Sequence, residues 1–278
     1  MRALLLAIPL SLIIAHTSLA GDSTAARAPT AKASEQPADS KLETYRGYVY
    51  DLSEIAGRQD ISAIEASLRH QLDIVESVGL SPRVLTYFHT IPVVADEMAC
   101  FPAEQSATME RPLTTAGCYG QVAPRRPDHT MRQPSVWDSA KGKWTNANAI
   151  DLAEDLGRGI VMVRPLLLGS QNPVVLHELL HAFHAHMLPH GFENQGIEYF
   201  YSQAKKGDLY PADSYLLTNS REFFAVTASV FLFGQDDKEP FTRAKLKEKL
   251  PEYYKYLAWL FEFDPDPTPR ATPVASAN

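Results

Sequence analysis

The sequence predicts an α+β domain with a small sheet and a mainly helical carboxyl-terminal part. Three observations carry this. Ile61, Ile64, Leu68, Leu72, Val75 and Val78 keep the helical period up to Gly79. The run Ile160-Val161-Met162-Val163, continuing through Arg164-Pro165 to Leu166-Leu167-Leu168, is apolar and β-branched at its start and reads as a strand. Beyond it the pattern turns helical almost throughout, so strands and helices are segregated along the chain rather than alternating.

In chain order, Gly79 ends the first helix, Ser81-Pro82 opens a short second one, and Ile91 to Val94 is a buried strand. The stretch from Met98 to Asn148, rich in proline, allows no assignment. Pro165 has no N–H to give to a ladder, so the strand beginning at Ile160 is expected at a sheet edge. Asn172 can cap the helix that follows, and Pro173 suits its first turn. Later helices are expected over Gly196 to Lys206, Asn219 to Phe233, Thr242 to Leu250 and Pro251 to Phe263.

Met1-Arg2, the apolar run Ala3 to Ala15 and then Ser18-Leu19-Ala20 read as a signal peptide over residues 1–20. The apolar run is too short to span a bilayer comfortably and no other long one follows, so no stable membrane insertion is expected after cleavage. The mature chain is expected to be exported, periplasmic or secreted. Residues 21–40, rich in Ala, Ser, Thr and Pro, read as a disordered linker, and residues 264–278 as a disordered tail. Residues 41–263 form one expected domain, and a composition 45 % hydrophobic and 21 % charged is enough for a real core. The formal net charge is −7 with no basic cluster, which argues against nucleic acid and anionic membrane as partners. Cys100 and Cys118 are expected to pair in an exported chain, a link worth about 3 kcal/mol. A role as metal ligand or nucleophile is the alternative.

The chemistry concentrates in His177-Glu178-Leu179-Leu180-His181, a HExxH pattern. Positions four apart share a helix face, so both imidazoles can turn to one metal ion. Glu178 lies about 100° round the helix from His177, where its carboxylate can reach a water without ligating the metal. Five histidines crowd between His177 and His190, which raises the chance of a fortuitous spacing. The apolar surround of Val174, Val175, Leu176, Leu179, Leu180 and Phe183 answers that, because a charged Glu is costly there without a purpose.

A catalytic zinc site takes three protein ligands and keeps one open position. The extended pattern with a third His after a glycine turn fails, since His184 holds the glycine position and Met187 the third His position. His184, His186 and His190 are expected beside the site or at the surface. The third ligand should be a carboxylate from a following helix, and spacing allows Glu198 or Glu222. Glu222 also completes a capping-box pattern with Asn219. Phe223, Phe224, Val226, Ala228, Val230 and Phe231 make its helix largely buried, which favours a strong partner for that carboxylate.

The segment Tyr215-Leu216-Leu217-Thr218-Asn219-Ser220-Arg221-Glu222-Phe223-Phe224-Ala225 resembles the matching stretch of the anthrax lethal factor-like and Mlc titration factor-like zinc peptidases, of the gluzincin type. In both, a HExxH helix is followed by a Tyr seven residues before a ligand Glu, then by an aromatic-Ala pair. The resemblance covers about Ile160 to Pro265 and leaves residues 41–150 unmatched. It implies a zincin-like metallopeptidase domain binding one Zn2+ per chain through His177, His181 and Glu222. Glu178 is then the general base and Tyr215 the oxyanion stabiliser. Lethal factor-like enzymes carry a second Glu four residues after the ligand, where this chain has Val226.

The expectation is an exported zinc-dependent metallopeptidase, more an endopeptidase than an exopeptidase. Its substrate is a peptide or protein laid along the edge strand around Val161 and Val163. Two other readings keep the metal: a peptide-binding or sensing module of the cell envelope without turnover, and a zinc hydrolase of non-peptide amides. A purely structural zinc site would normally close with four protein ligands.

Overall fold

A computed structural model describes residues 42–96, 116–120, 137–138, 143–144, 149–165 and 170–266. The expected signal peptide, the linker to Ser40, Cys100 and the chain beyond Asp266 lie outside the described residues. So, therefore, does the expected Cys100 pairing.

Two strands open the fold, β1 (Leu42–Tyr45) and β2 (Tyr48–Asp51). They form a hairpin whose two-residue turn, Arg46-Gly47, takes positive φ at both positions (49° and 91°), the twist that suits a tight hairpin. Helices α1 (Ile61–Ser77) and α2 (Pro82–Phe88) then lead to β3 (Val93–Ala95). Next come β4 (Gly117–Gly120), the short pair β5 (Trp137–Asp138) and β6 (Lys143–Trp144), α3 (Ala149–Leu156) and β7 (Ile160–Val163). The carboxyl-terminal part is helical: α4 (Val174–Met187), α5 (Gln195–Lys206), α6 (Ser220–Phe233), α7 (Arg243–Lys249) and α8 (Pro251–Phe261). The α+β class and the late helices match expectation. The first three residues of the expected tail are described, and Asp266 accepts hydrogen bonds from Tyr254 Oη (2.8 Å) and Lys247 Nζ (3.0 Å).

The main sheet is mixed, in the order β1-β2-β3-β7-β4, with β2, β3 and β7 parallel and β1 and β4 antiparallel to their neighbours. Alternation along the strands divides the core. Tyr48, Tyr50, Val93, Ala95, Val161 and Val163 pack into the large core shared with α1, α2, α4, α6 and α8, while Val49, Val94 and Ile160 pack with Leu152 and Ala153 of α3.

One expectation is corrected. The strand at Ile160 is not an edge strand: β7 lies inside the sheet between β3 and β4. Its ladder ends at Val163, before Pro165, so the missing N–H falls beyond the hydrogen-bonded register and costs the strand nothing. Among the described residues the edge on that side is β4.

Helix α4 is apolar nearly all round and buried along most of its length, as a central helix must be. Phe183 of α4 stacks with Phe224 of α6 (centroids 6.2 Å) and meets Phe261 of α8 (5.3 Å), which fixes α6 against α4. The amino end of α4 is not capped by Asn172. Gln71 of α1, fully buried, donates from Nε2 to the Asn172 carbonyl (2.9 Å) and accepts from the Val175 N–H (3.3 Å).

Candidate active site and metal centre

His177 and His181 sit one turn apart on α4, and their Nε2 atoms face each other at 3.2 Å. Glu222 comes from the first turn of α6. Asn219 caps that helix, its Oδ1 accepting from the Arg221 N–H (2.9 Å) and the Glu222 N–H (3.0 Å). The capping-box reading of Glu222 is thus half realised, because its carboxylate turns instead to the histidines: Oε2 lies 3.2 Å from His177 Nε2 and Oε1 3.5 Å from His181 Nε2. Glu198 takes no part. It is exposed and accepts a hydrogen bond from Ser220 Oγ, bridging α5 to α6.

These donors fit a zinc ion. A tetrahedral site with metal–ligand distances of about 2.0–2.1 Å puts neighbouring donor atoms about 3.3 Å apart. The observed separations of 3.2, 3.2 and 3.5 Å bracket that value. Among the described residues, Glu222 Oε2 is buried with no hydrogen-bond partner beyond its contact with His177, an atom that a cation at this point would satisfy. The Glu178 carboxylate also lies within 4.8 Å of the two imidazole donors. It nevertheless points toward β4, where a Cβ built on Gly117 would meet its Cγ at 3.1 Å and Oε1 at 3.2 Å. A side chain at 117 would press on the Glu178 carboxylate and shift it by a few tenths of an ångström.

The charges are set by burial and by one another. Burial pushes the Glu178 carboxyl up, with the two histidines opposing. Burial would also raise Glu222, but contact with His177 and His181 holds it well below the usual carboxylate range. For His177, burial acts downward and is outweighed by Glu222 and Glu178, which leave it raised.

Tyr215 stands in a short 3-10 turn (Tyr215–Leu217) before α6, with its ring centroid 6.4 Å from that of His177 and Lys238 Nζ 4.2 Å over its ring. Burial, with Glu222 and Glu178 nearby, raises its pKa, so it remains a neutral hydrogen-bond donor. Of the other histidines, His186 pairs with Tyr119 Oη at 2.9 Å, while His184 is fully buried and, among the described residues, neither ring nitrogen has a hydrogen-bond partner.

Two cavities meet at His177, Glu178 and Tyr215. One, of about 390 Å³, runs past Ala116, Gly117 and Asn172 to Asp236, Asp237 and Lys238. The other, of about 440 Å³, is lined by Tyr119, His181, Phe192, Asn219, Arg221 and Glu222. Together they make a cleft with β4 along one wall. Sequence reading gave no role to Gly117 or the segment Asp236 to Lys238, which belong to no motif, nor to Arg221, which lies in the Tyr215 to Ala225 segment beside the candidate ligand. An Asp-Asp-Lys run soon after the helix-ending Gly234 was the only local signal.

No protein-family model matches the chain, and no curated protein does. Among solved structures it is similar to the PRO-PRO endopeptidase (PPEP-2) from Paenibacillus alvei, at 19 % identity, over 76 % of this chain and 97 % of that one, with a TM-score of 0.39. A likeness this distant assigns no function.

Proposed function

We propose that the chain is a zinc-dependent peptidase with a zincin-like catalytic domain, cleaving within peptides or proteins. One observation carries the reading: two imidazoles and a carboxylate converge at zinc-ligand spacing while a second carboxylate, Glu178, stands beside β4, the sheet edge among the described residues. Zn2+ bound there would supply Lewis acidity, polarising a carbonyl and making a water more acidic.

The chain's own residues do the rest. Glu178, with its pKa raised by burial, is suited to take the proton from the attacking water and pass it to the leaving amine. The neutral Tyr215 hydroxyl donates a hydrogen bond to the developing oxyanion. Among the described residues β4 is the outer strand beside Glu178, and an extended peptide would pair along it, a role the sequence assigned one strand inward, to β7. Export to a periplasm or the medium belongs to the same proposal and rests on the sequence of residues 1–20 alone. Among the described residues, no helix is long and apolar enough to cross a membrane.

The test is cleavage of a diverse peptide library by the zinc-loaded chain from Gly21, beside Glu178→Gln. The variant is expected to bind one zinc and to turn over about 10²–10⁴-fold more slowly. Silence from the unmodified chain with one zinc bound would overturn the reading in favour of a binding module or a hydrolase of other amides.

A further inference from the structure

The cavity on the Tyr119 side holds a cation that the proposed chemistry does not use. The Arg221 guanidinium lies over Phe192, 4.2 Å from the ring centroid, and Phe192 packs edge-on against the buried His184 ring (5.3 Å). A planar cation stacked on a braced ring has a restricted orientation. The Arg221 backbone N–H goes to the Asn219 cap, but among the described residues the guanidinium itself has no hydrogen-bond or ion-pair partner. The acid beside it in sequence, Glu222, is turned to the two histidines. Arg221 is exposed, so among the described residues its five N–H donors are left to solvent or a ligand at the wall of a 440 Å³ cavity that also contains His181 and Glu178.

An oriented, unpaired guanidinium matches one chemistry closely, the two parallel N–H···O bonds of a carboxylate. The other half of the cleft differs, because there Lys238 is accompanied by Asp236 and Asp237. The Arg221 side also carries Glu178 and Glu222, but Glu222 is turned to the two histidines.

We propose that Arg221, held on Phe192, selects substrates that place a carboxylate in the Tyr119, Phe192 and Asn219 cavity, from an acidic side chain or from a chain terminus. This rests on the peptidase reading, so its test reads binding rather than turnover. Zinc-loaded Glu178→Gln is titrated by fluorescence anisotropy with labelled, end-capped, alanine-rich octapeptides carrying Glu, Gln or Lys at each position in turn. A second pair, without acidic side chains, has a free or an amidated carboxyl terminus.

At one position, or at the free terminus, the carboxylate peptide is expected to bind about 10-fold more tightly than its neutral partner. The preference should fall to near unity in Glu178→Gln/Arg221→Gln and turn toward Lys in Glu178→Gln/Arg221→Glu, each checked for one zinc per chain. The arm that shows the preference tells side chain from terminus. Equal binding within every pair, or a preference that survives Arg221→Gln, would overturn the assignment. Cleavage by the unmodified chain decides the peptidase reading separately.

Discussion

His184 shares a helix face with the two candidate ligands, yet its surroundings give it a different part. Its ring is fully buried, edge-on to Phe224 (4.9 Å) and Phe192 (5.3 Å), and burial pushes its pKa down to about 4, with His181 and Arg221 adding to the effect. The unfolded chain titrates this residue near pH 6.5, as a free histidine does. Below that pH the unfolded state takes a proton that the folded state refuses, so stability falls as pH drops, by about 1.4 kcal/mol per unit at most, until about pH 4. Above pH 6.5 the residue contributes no pH dependence. Urea unfolding of chelated protein should therefore show the stability difference between the unmodified chain and His184→Leu shifting in favour of the variant from pH 6.5 to pH 4. A difference constant with pH would contradict this. The spacing of His177, Glu178 and His181 was legible because a helix converts it directly into geometry. The choice of Glu222 over Glu198 was not legible from spacing, because it depends on how α6 packs against α4. The burial of His184 was hidden likewise, since it comes from Phe192 and Phe224 on other segments.

Helix α4 takes its amino-terminal support from a residue far away in sequence. Gln71 serves both the Asn172 carbonyl and the Val175 N–H from 101 and 104 positions away, and no local pattern announces such a cap. Gln71→Leu would leave the buried Val175 N–H unpaired while the Asn172 carbonyl keeps the Val174 N–H, at an expected cost of about 1–3 kcal/mol in urea unfolding of chelated protein. A loss within about 0.5 kcal/mol, as for an ordinary surface change, would contradict the role. The helices after His190 were readable because each carries its own apolar period and stop signal, such as Gly234 at φ 109° after α6. The sheet was less readable. The turn Arg46-Gly47 between Tyr45 and Tyr48 was an available hairpin signal, but β4 is a four-residue strand with glycine at both ends. Its place at the edge is a matter of topology, which pulls the expected edge position away from β7.

The cleft as a whole is assembled from parts that meet only in the fold: β4 as one wall, α4 with two imidazoles and Glu178, the turn at Tyr215, and the first turn of α6 with Arg221 and Glu222. An ion held by His177, His181 and Glu222 would join α4 to α6, and everything proposed about turnover depends on that junction. The most direct test is a crystal grown with zinc and measured at the zinc absorption edge. One anomalous peak per chain is predicted, about 2.0–2.2 Å from both Nε2 atoms and a Glu222 oxygen, with Glu178 outside ligating distance. Absence of a peak under excess zinc, or an ion ligated by Glu178 or Glu198 in place of Glu222, would contradict the account.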